Sequence, residues 1–237
     1  MTPTLYLIPA PLGEVPVEQV LLPADRELVQ SLQFFVVEEL RTGRRYLSKL
    51  GLTVADLQFG TLNEHTSPEA LEALIQPMVE GHAMGLISEA GLPAVADPGA
   101  DLVALAHKKG FCVHPMVGPS SLMLALMASG LNGQHFAFNG YLPVKPEERK
   151  ARIKELERRS RGESQTQLFI ETPYRNQALF QSLLETCAPY TRLTVAANLT
   201  MPNAFICTKT IEAWKMHIPD FEGALHKVPC VFLLLAH

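Results

Sequence analysis

Cysteine is scarce in this chain and badly placed for chemistry. Cys112, Cys187, Cys207 and Cys230 stand 75, 20 and 23 positions apart, so no pair has the close spacing of a zinc site or a redox motif. Three of them fall in apolar, strand-like stretches, where a thiol behaves as a small core hydrophobe; all four are expected to be buried and reduced. Long apolar runs are also missing. The longest inside an expected helix, Leu122 to Ala128, falls far short of the roughly 20 residues of a membrane span. The opening MTPTLYLIPAPLG has no basic residue ahead of its apolar stretch and carries three prolines, which does not fit a secretory leader. A cytoplasmic protein without membrane contact is expected.

There is no excess of positive charge either. Lys and Arg number 20 against 24 Asp and Glu, a net of −4, so attraction to a polyanion must come from a local patch. No G-x-G-x-x-G follows the first expected strand, and no G-x-x-x-x-G-K-[ST] occurs, which speaks against dinucleotide and nucleoside-triphosphate sites. The eight histidines lack metal-ligand spacing, and no metal is expected. Neither a Ser-His-Asp nor a Cys-His arrangement can be argued. Internal repeats and low-complexity tracts are absent.

What is present is an ordinary globular composition, 237 residues with 47% apolar and 19% charged, enough for one large domain or two modest ones. Apolar runs alternate with amphipathic stretches. Leu5 to Ile8 and Phe34 to Val37 read as strands, and Leu40 to Leu50 as a helix stopped by Gly51, a residue that tolerates the left-handed cap. Ser67 followed by Pro68 starts a helix with Leu71, Leu74, Ile75 and Met78 on one face, and Pro77 should end or kink it. A strand over Met84 to Ile87, a Gly/Pro-rich loop to Gly99, a helix from Asp101 to Lys109 and a strand from Phe111 to Val117 follow. Strands alternating with helices predict a mainly parallel sheet covered on both faces.

The second half reads differently. A helix from Gly118-Pro119-Ser120 to Ser129 is apolar nearly all round, which predicts burial on most sides. A short strand from Phe136 to Asn139, a charged helix from Pro146 to about Ser160, and strands near Gln167–Ile170, Leu193–Ala197, Ala204–Thr208 and Val228–Leu235 predict a mixed sheet. A helix after Pro173 should bury Leu179, Leu183 and Cys187. Two α/β domains are expected, 1–117 and 118–237.

In open α/β sheets a ligand sits beyond the carboxyl ends of the strands. Two loops there suit close backbone approach: Pro9-Ala10-Pro11-Leu12-Gly13 and the run from Ser88 to Gly99. Glycine admits backbone shapes a side chain would block, and proline stiffens the loop. Loops with small residues and no lysine fit a nucleoside-like ligand without phosphates; two rigid turns are the plainer alternative.

The residues also resemble a known family. Leu86-Ile87-Ser88-Glu89-Ala90-Gly91-Leu92-Pro93 with Asp97-Pro98-Gly99 is similar to the S-D-A-G-T-P…S-D-P-G stretch of the ribosomal RNA small subunit methyltransferase I family, within the tetrapyrrole methylase superfamily. Gly118-Pro119-Ser120-Ser121-Leu122 resembles its G-P-S-A-L and Ala128-Ser129-Gly130-Leu131 its A-S-G-L. Phe138-Asn139-Gly140-Tyr141-Leu142-Pro143 resembles F-x-G-F-L-P, Glu171-Thr172-Pro173-Tyr174-Arg175 resembles E-S-P-H-R, and Pro11-Leu12-Gly13 resembles P-I-G. The motifs run in order from about Leu5 to about Thr210. The resemblance implies two α/β domains with S-adenosylmethionine in the cleft between them. It also implies a homodimer and cofactor contacts at Pro11, Gly13, Ser88, Glu89, Ala90, Val95, Ser120, Ser121, Glu171 and Asn198.

Departures gather on the acceptor side. The family's E-D-T-R is Glu38-Glu39-Leu40-Arg41 here, and its A-R-E-L-T-K is Ala196-Ala197-Asn198-Leu199-Thr200-Met201. The implied reaction is methyl transfer to a ribose 2′-hydroxyl of small-subunit ribosomal RNA. A small-molecule acceptor, or a cofactor-binding protein without turnover, are the alternatives. Glu38 and Glu39 are the candidate proton acceptors, with Arg41 orienting a phosphate through its planar fork. Equally, the two acids could simply begin a helix, where negative charge suits the dipole. From Lys145 to Arg161 eight bases face four acids, a net of +4 on an otherwise acidic chain. That segment could hold an RNA backbone or be a solvated helix face laced with i,i+4 pairs.

Overall fold

A computed structural model describes residues 2–63, 65–216, 223 and 225–237. Its contacts gather into two compact units, Met1–Ser120 and Ser121–His237.

In the first unit β1 (Thr4–Ile8), β2 (Phe34–Val37), β3 (Gln58–Thr61), β4 (Met84–Ile87) and β5 (Cys112–Pro115) form one sheet in the order β3-β2-β4-β1-β5. Every pairing in it is parallel. The parallel sheet is what alternating strand and helix signals predict, although α1 (Pro23–Gln30) and β3 carry too few periodic residues to stand out in the sequence. The helices α2 (Leu40–Lys49), α3 (Pro68–Leu74), α4 (Gln76–Val79) and α5 (Ala100–Lys108) complete the unit. One apolar core gathers Ile8, Phe35, Val37, Tyr46, Leu47 and Leu50; another gathers Leu5, Val36, Ile75, Met78, Leu86 and Leu102. Leu5 and Ile8 both come from β1 and Val36 and Val37 both from β2, so the sheet is buried on both faces.

Ser67 caps α3 through its hydroxyl, which accepts from the Ala70 amide at 3.3 Å. The break in the following helix falls at Ile75 rather than at Pro77, because Pro77 sits in the first turn of α4, where its missing N–H costs nothing.

The second unit holds α6 (Ser121–Ser129), β6 (Phe136–Tyr141), α7 (Pro146–Glu163), β7 (Thr166–Ile170), α8 (Asn176–Thr186), β8 (Arg192–Ala197), β9 (Phe205–Thr210), α9 (Ile211–Met216) and β10 (Cys230–Leu235). The sheet order is β6-β7-β10-β8-β9. Only β6 and β7 are parallel; β10 runs against β7 and β8, and β8 against β9. The mixed sheet is therefore present. Its core packs Ile153, Phe169, Leu183, Val195, Trp214 and Phe232 beneath α7, α8 and α9.

Two expectations from patterning fail. Helix α6 is not buried on most sides: it lies against β10, β9 and β8, so Leu122, Ala125 and Leu126 are covered while Met127 is 78% exposed. An all-round apolar sequence does not by itself create a second covering layer. The thiols are also not uniformly buried. Cys187 and Cys230 are, Cys207 is half-buried, and Cys112 is exposed at the start of β5, the edge strand of its sheet.

Candidate functional site

Sheet order brings together loops that are remote in sequence. In the first unit β1 pairs with β4 and β2 also pairs with β4, with Ile8 and Val37 both opposite Ile87. The chain segments leaving these three strands therefore emerge side by side at the carboxyl edge. The first and third are tied directly: the Ala10 amide donates to the Gly91 carbonyl at 2.8 Å, and the Gly91 amide returns the bond to Ala10 at 3.0 Å. Tyr46 of α2, buried in the core, donates its hydroxyl to the Pro9 carbonyl at 2.8 Å, and burial raises its pKa. Gly118 lies so near Pro9 that a Cβ there would sit 2.1 Å from the proline ring.

Between these loops and α2 is a cleft of about 240 Å³ bordered by Pro11, Gly13, Thr42, Arg45, Lys49 and Glu89. Ala90 borders it as well. That volume lies just under the usual range for a small-molecule pocket, about 300–1,000 Å³, which is room for part of a nucleoside-sized molecule. Ser88, Asp97 and Val95 sit on the same long loop. Ala94 and Ala96 take φ of 64° and 62°, a left-handed conformation that costs a non-glycine residue roughly 1–2 kcal/mol. Two such residues flank Val95, so contacts elsewhere in the loop must hold this costly shape.

A group of carboxylates stands at this edge. Glu38 accepts from the Glu89 amide at 3.3 Å. Burial, with Glu38 and Glu39 nearby, raises the Glu89 pKa. Burial and the Glu38 charge push Asp97 up to about 6, against the stabilising influence of the adjacent Ser88 hydroxyl. Ser88 is buried, and its Oγ has no hydrogen-bond partner of regular geometry. Glu39 is differently employed. Its carboxylate caps α2, accepting from the Thr42 amide at 2.7 Å and the Thr42 hydroxyl at 3.0 Å. Hydrogen bonding from the Arg41 amide and then from the Thr42 amide lowers its pKa. Of the two acids read together in the sequence, Glu39 is the helix start and Glu38 faces the loops. Asp97, read in the sequence only within the Ser88–Gly99 loop and its Asp-Pro-Gly motif, joins them.

In the second unit Glu171 follows β7 and Asn198 follows β8. Both strands run against β10, so these residues leave the same edge of the sheet. Glu171 is buried; its Oε1 accepts from the Thr172 amide at 2.7 Å and from Arg175 at 2.9 and 2.5 Å, while Oε2 has no partner. A buried carboxylate oxygen left unpaired is costly and marks a place where a donor group fits. Asn198 takes φ of 52° and Thr200 of 72°. The Asn198 amide is held by the Pro229 carbonyl at 3.0 Å. Ser120 is the last residue of the first unit and Ser121 opens α6 in the second.

The charged helix α7 spends most of its cations inside its own unit. Lys145 pairs with Glu148, Lys150 with Glu185, Arg152 with Glu155 and Arg159 with Glu163. Arg149 is buried and donates to Ser182 and to the Val144 carbonyl, and Arg161 donates to the His237 carbonyl. Among the described residues no group of three His, Cys, Asp or Glu could hold a metal ion, and no helix is long and apolar enough to cross a membrane.

This two-unit fold, with a parallel first sheet and a mixed second one, has counterparts among solved structures. A solved uroporphyrin-III C-methyltransferase from Thermus thermophilus shares it, with a TM-score of 0.57 at 19% identity over 99% of this chain and 93% of its own. At that identity the likeness concerns the fold. No family model matches the chain.

Sequence relatives are more specific. The chain is 30% identical to ribosomal RNA small subunit methyltransferase I of Xylella fastidiosa over 93% of this chain and 77% of that protein. The protein of the same name from Vibrio cholerae is 30% identical over 84% of this chain, which spans 65% of the Vibrio protein's length. The chain belongs to the ribosomal RNA small subunit methyltransferase I family.

Proposed function

We propose that this chain transfers a methyl group from S-adenosylmethionine to RNA, to a ribose 2′-hydroxyl of small-subunit ribosomal RNA. The observation that carries the reading is the cleft of the first unit, where the loops after β1 and β4 are joined through Ala10 and Gly91 in a member of this family. The donor, when bound, supplies an electrophilic methyl on a sulfonium. The residues present fit it: Gly13 and Ala90 leave the backbone open to a nucleoside, Ser88 places a hydroxyl two residues before Ala90, and Glu89 brings negative charge towards a cation. In the second unit Glu171 keeps one buried carboxylate oxygen without a partner among the described residues, a place where a donor group fits.

The chain's own task is alignment. In-line displacement gains most from holding the acceptor oxygen in near-attack geometry. With the donor bound, the acceptor oxygen would take the methyl carbon as the sulfur leaves, and the chain's part would be to accept the hydroxyl proton on a carboxylate. Glu39 is committed to its helix cap, so Glu38 or its neighbour Asp97 takes that proton. Arg41, exposed at the start of α2, orients the acceptor's phosphate. A homodimer follows from the same family reading and is measurable by light scattering.

Two measurements test the reading. A ligand that binds only the folded state at 100 times its Kd stabilises by about 2.7 kcal/mol, so S-adenosylmethionine should raise the melting temperature, less so in Glu89→Ala. Labelled methyl should then appear in ribosomal RNA from an extract. Label in a small molecule would redirect the acceptor, and the absence of a melting shift would remove the donor.

A further inference from the structure

Helix α2 carries four bases, Arg41, Arg44, Arg45 and Lys49, and no acid between Leu40 and Lys49. At 100° per residue these bases and Ser48 occupy one face, while Gly43, Tyr46, Leu47 and Leu50 are buried on the other. All four bases are exposed. They are spent differently from those of α7. Arg45 meets Glu14 at 3.1 Å with both side chains largely in solvent, Arg44 lies 5.2 Å over the Phe59 ring, and among the described residues Arg41, Arg44 and Lys49 make no ion pair. Pairing drains the charge of α7, whereas α2 keeps its own.

The face is also positioned. Thr42, Arg45, Tyr46 and Lys49 follow one another at i, i+3, i+4 and i+7, and this flank of α2 forms a wall of the cleft beside Gly13 and Glu89. The carboxylates Glu38, Glu89 and Asp97 stand at the amino end of the helix, where the acceptor hydroxyl is to be met, and the bases from Arg44 to Lys49 follow them along the flank.

Resting on the RNA methyltransferase reading, we propose that the exposed basic face of α2 is the track for the phosphate backbone of the RNA acceptor. Arg44, Arg45 and Lys49 bind successive phosphates as the strand passes the cleft. Arg41 to Lys49 spans about 12 Å at 1.5 Å per residue, room for more than one phosphate. Guanidinium groups suit phosphate through their paired donors, and the Phe59 ring holds Arg44 outward. The track lies on the first unit, whereas patterning alone points to the segment from Lys145 to Arg161.

The test is the salt dependence of binding to a fluorescent fragment of small-subunit ribosomal RNA, followed by anisotropy. Each phosphate contact contributes about 0.7 to the slope of log affinity against log salt for single strands. The triple variant Arg44→Ala/Arg45→Ala/Lys49→Ala should lose about 2 from that slope and bind at least tenfold more weakly in low salt. The double variant Arg45→Ala/Lys49→Ala, which leaves the Phe59 contact intact, should lose about 1.4. Melting curves without ligand verify that each variant is folded. If the variants bind as the parent does, or if Lys154→Ala/Arg158→Ala on α7 takes the slope instead, the track is wrong and the methyltransferase reading stands. If the parent itself does not bind RNA while S-adenosylmethionine still raises its melting temperature, both the track and the RNA acceptor fall, and donor binding survives.

Discussion

Asp97 is held by residues that look unremarkable in sequence. Ala96 precedes it in a left-handed conformation and Gly99, with φ of 132°, follows; a Cβ on Gly99 would meet Leu86 at 2.9 Å. The loop is thus folded back on β4, and the Asp97 carboxyl lies near Glu38 and Glu89. Burial together with the Glu38 charge pushes its pKa from 3.8 up to about 6. The native state therefore holds this proton more tightly than the unfolded chain does. Stability from this group is retained below about pH 4 and is lost as pH rises through about 6. Asp97→Asn removes the penalty. Melting temperatures of variant and parent should agree near pH 4 and diverge by pH 8, with the variant higher; a difference that does not change with pH would contradict the assignment. The family motif marks Asp97 in the sequence, but its carboxylate neighbours Glu38 and Glu89 cannot be read there, because strand pairing brings them together. Glu39 shows the reverse case. An acid three residues before Thr42 at a helix start is a capping signal, and the carboxylate caps α2.

At the scale of elements, α2 does three things at once, and its sequence LRTGRRYLSK assigns each to a face. The buried face seats the helix on β2, the flank walls the cleft, and the outer face is basic. Seating depends on Gly43, where a Cβ would stand 2.6 Å from Val37 Cγ1. Gly43→Ala gains up to about 1 kcal/mol of helix propensity but forces overpacking that costs about 1–3 kcal/mol. A lower urea midpoint with an unchanged m-value is expected. Because Val37 immediately precedes Glu38, weaker donor binding should accompany it. Unaltered stability would mean that the helix can shift freely. The basic face was legible in the sequence as a spacing of bases without acids, yet total charge favoured α7, where eight bases lie close together. The structure separates the two helices through their partners: the acids that balance α7 come partly from its own turns, as Glu148, Glu155 and Glu163, and partly from α8 through Glu185.

At the scale of the whole chain, each unit has its own sheet and its own apolar core. Residues 1–120 and 121–237, made separately, should each give a cooperative urea transition by circular dichroism, as a unit with its own buried core does. A fragment that stays unfolded would show that its core is incomplete. The parallel first sheet and the mixed second were both visible as patterns, since strand–helix alternation and closely spaced strands are local signals. The uncovered side of α6 was not visible, because burial depends on what lies opposite a helix and not on its own hydrophobicity.

Sequence alone determined the elements, the two-sheet plan, the small-residue loops and the family motifs, all of which are properties of neighbouring residues. Tertiary structure decided which carboxylates meet and which helix keeps its positive charge. These depend on strand order and on side chains distant along the chain, where a residue's partners, rather than its identity, set its charge state and its exposure.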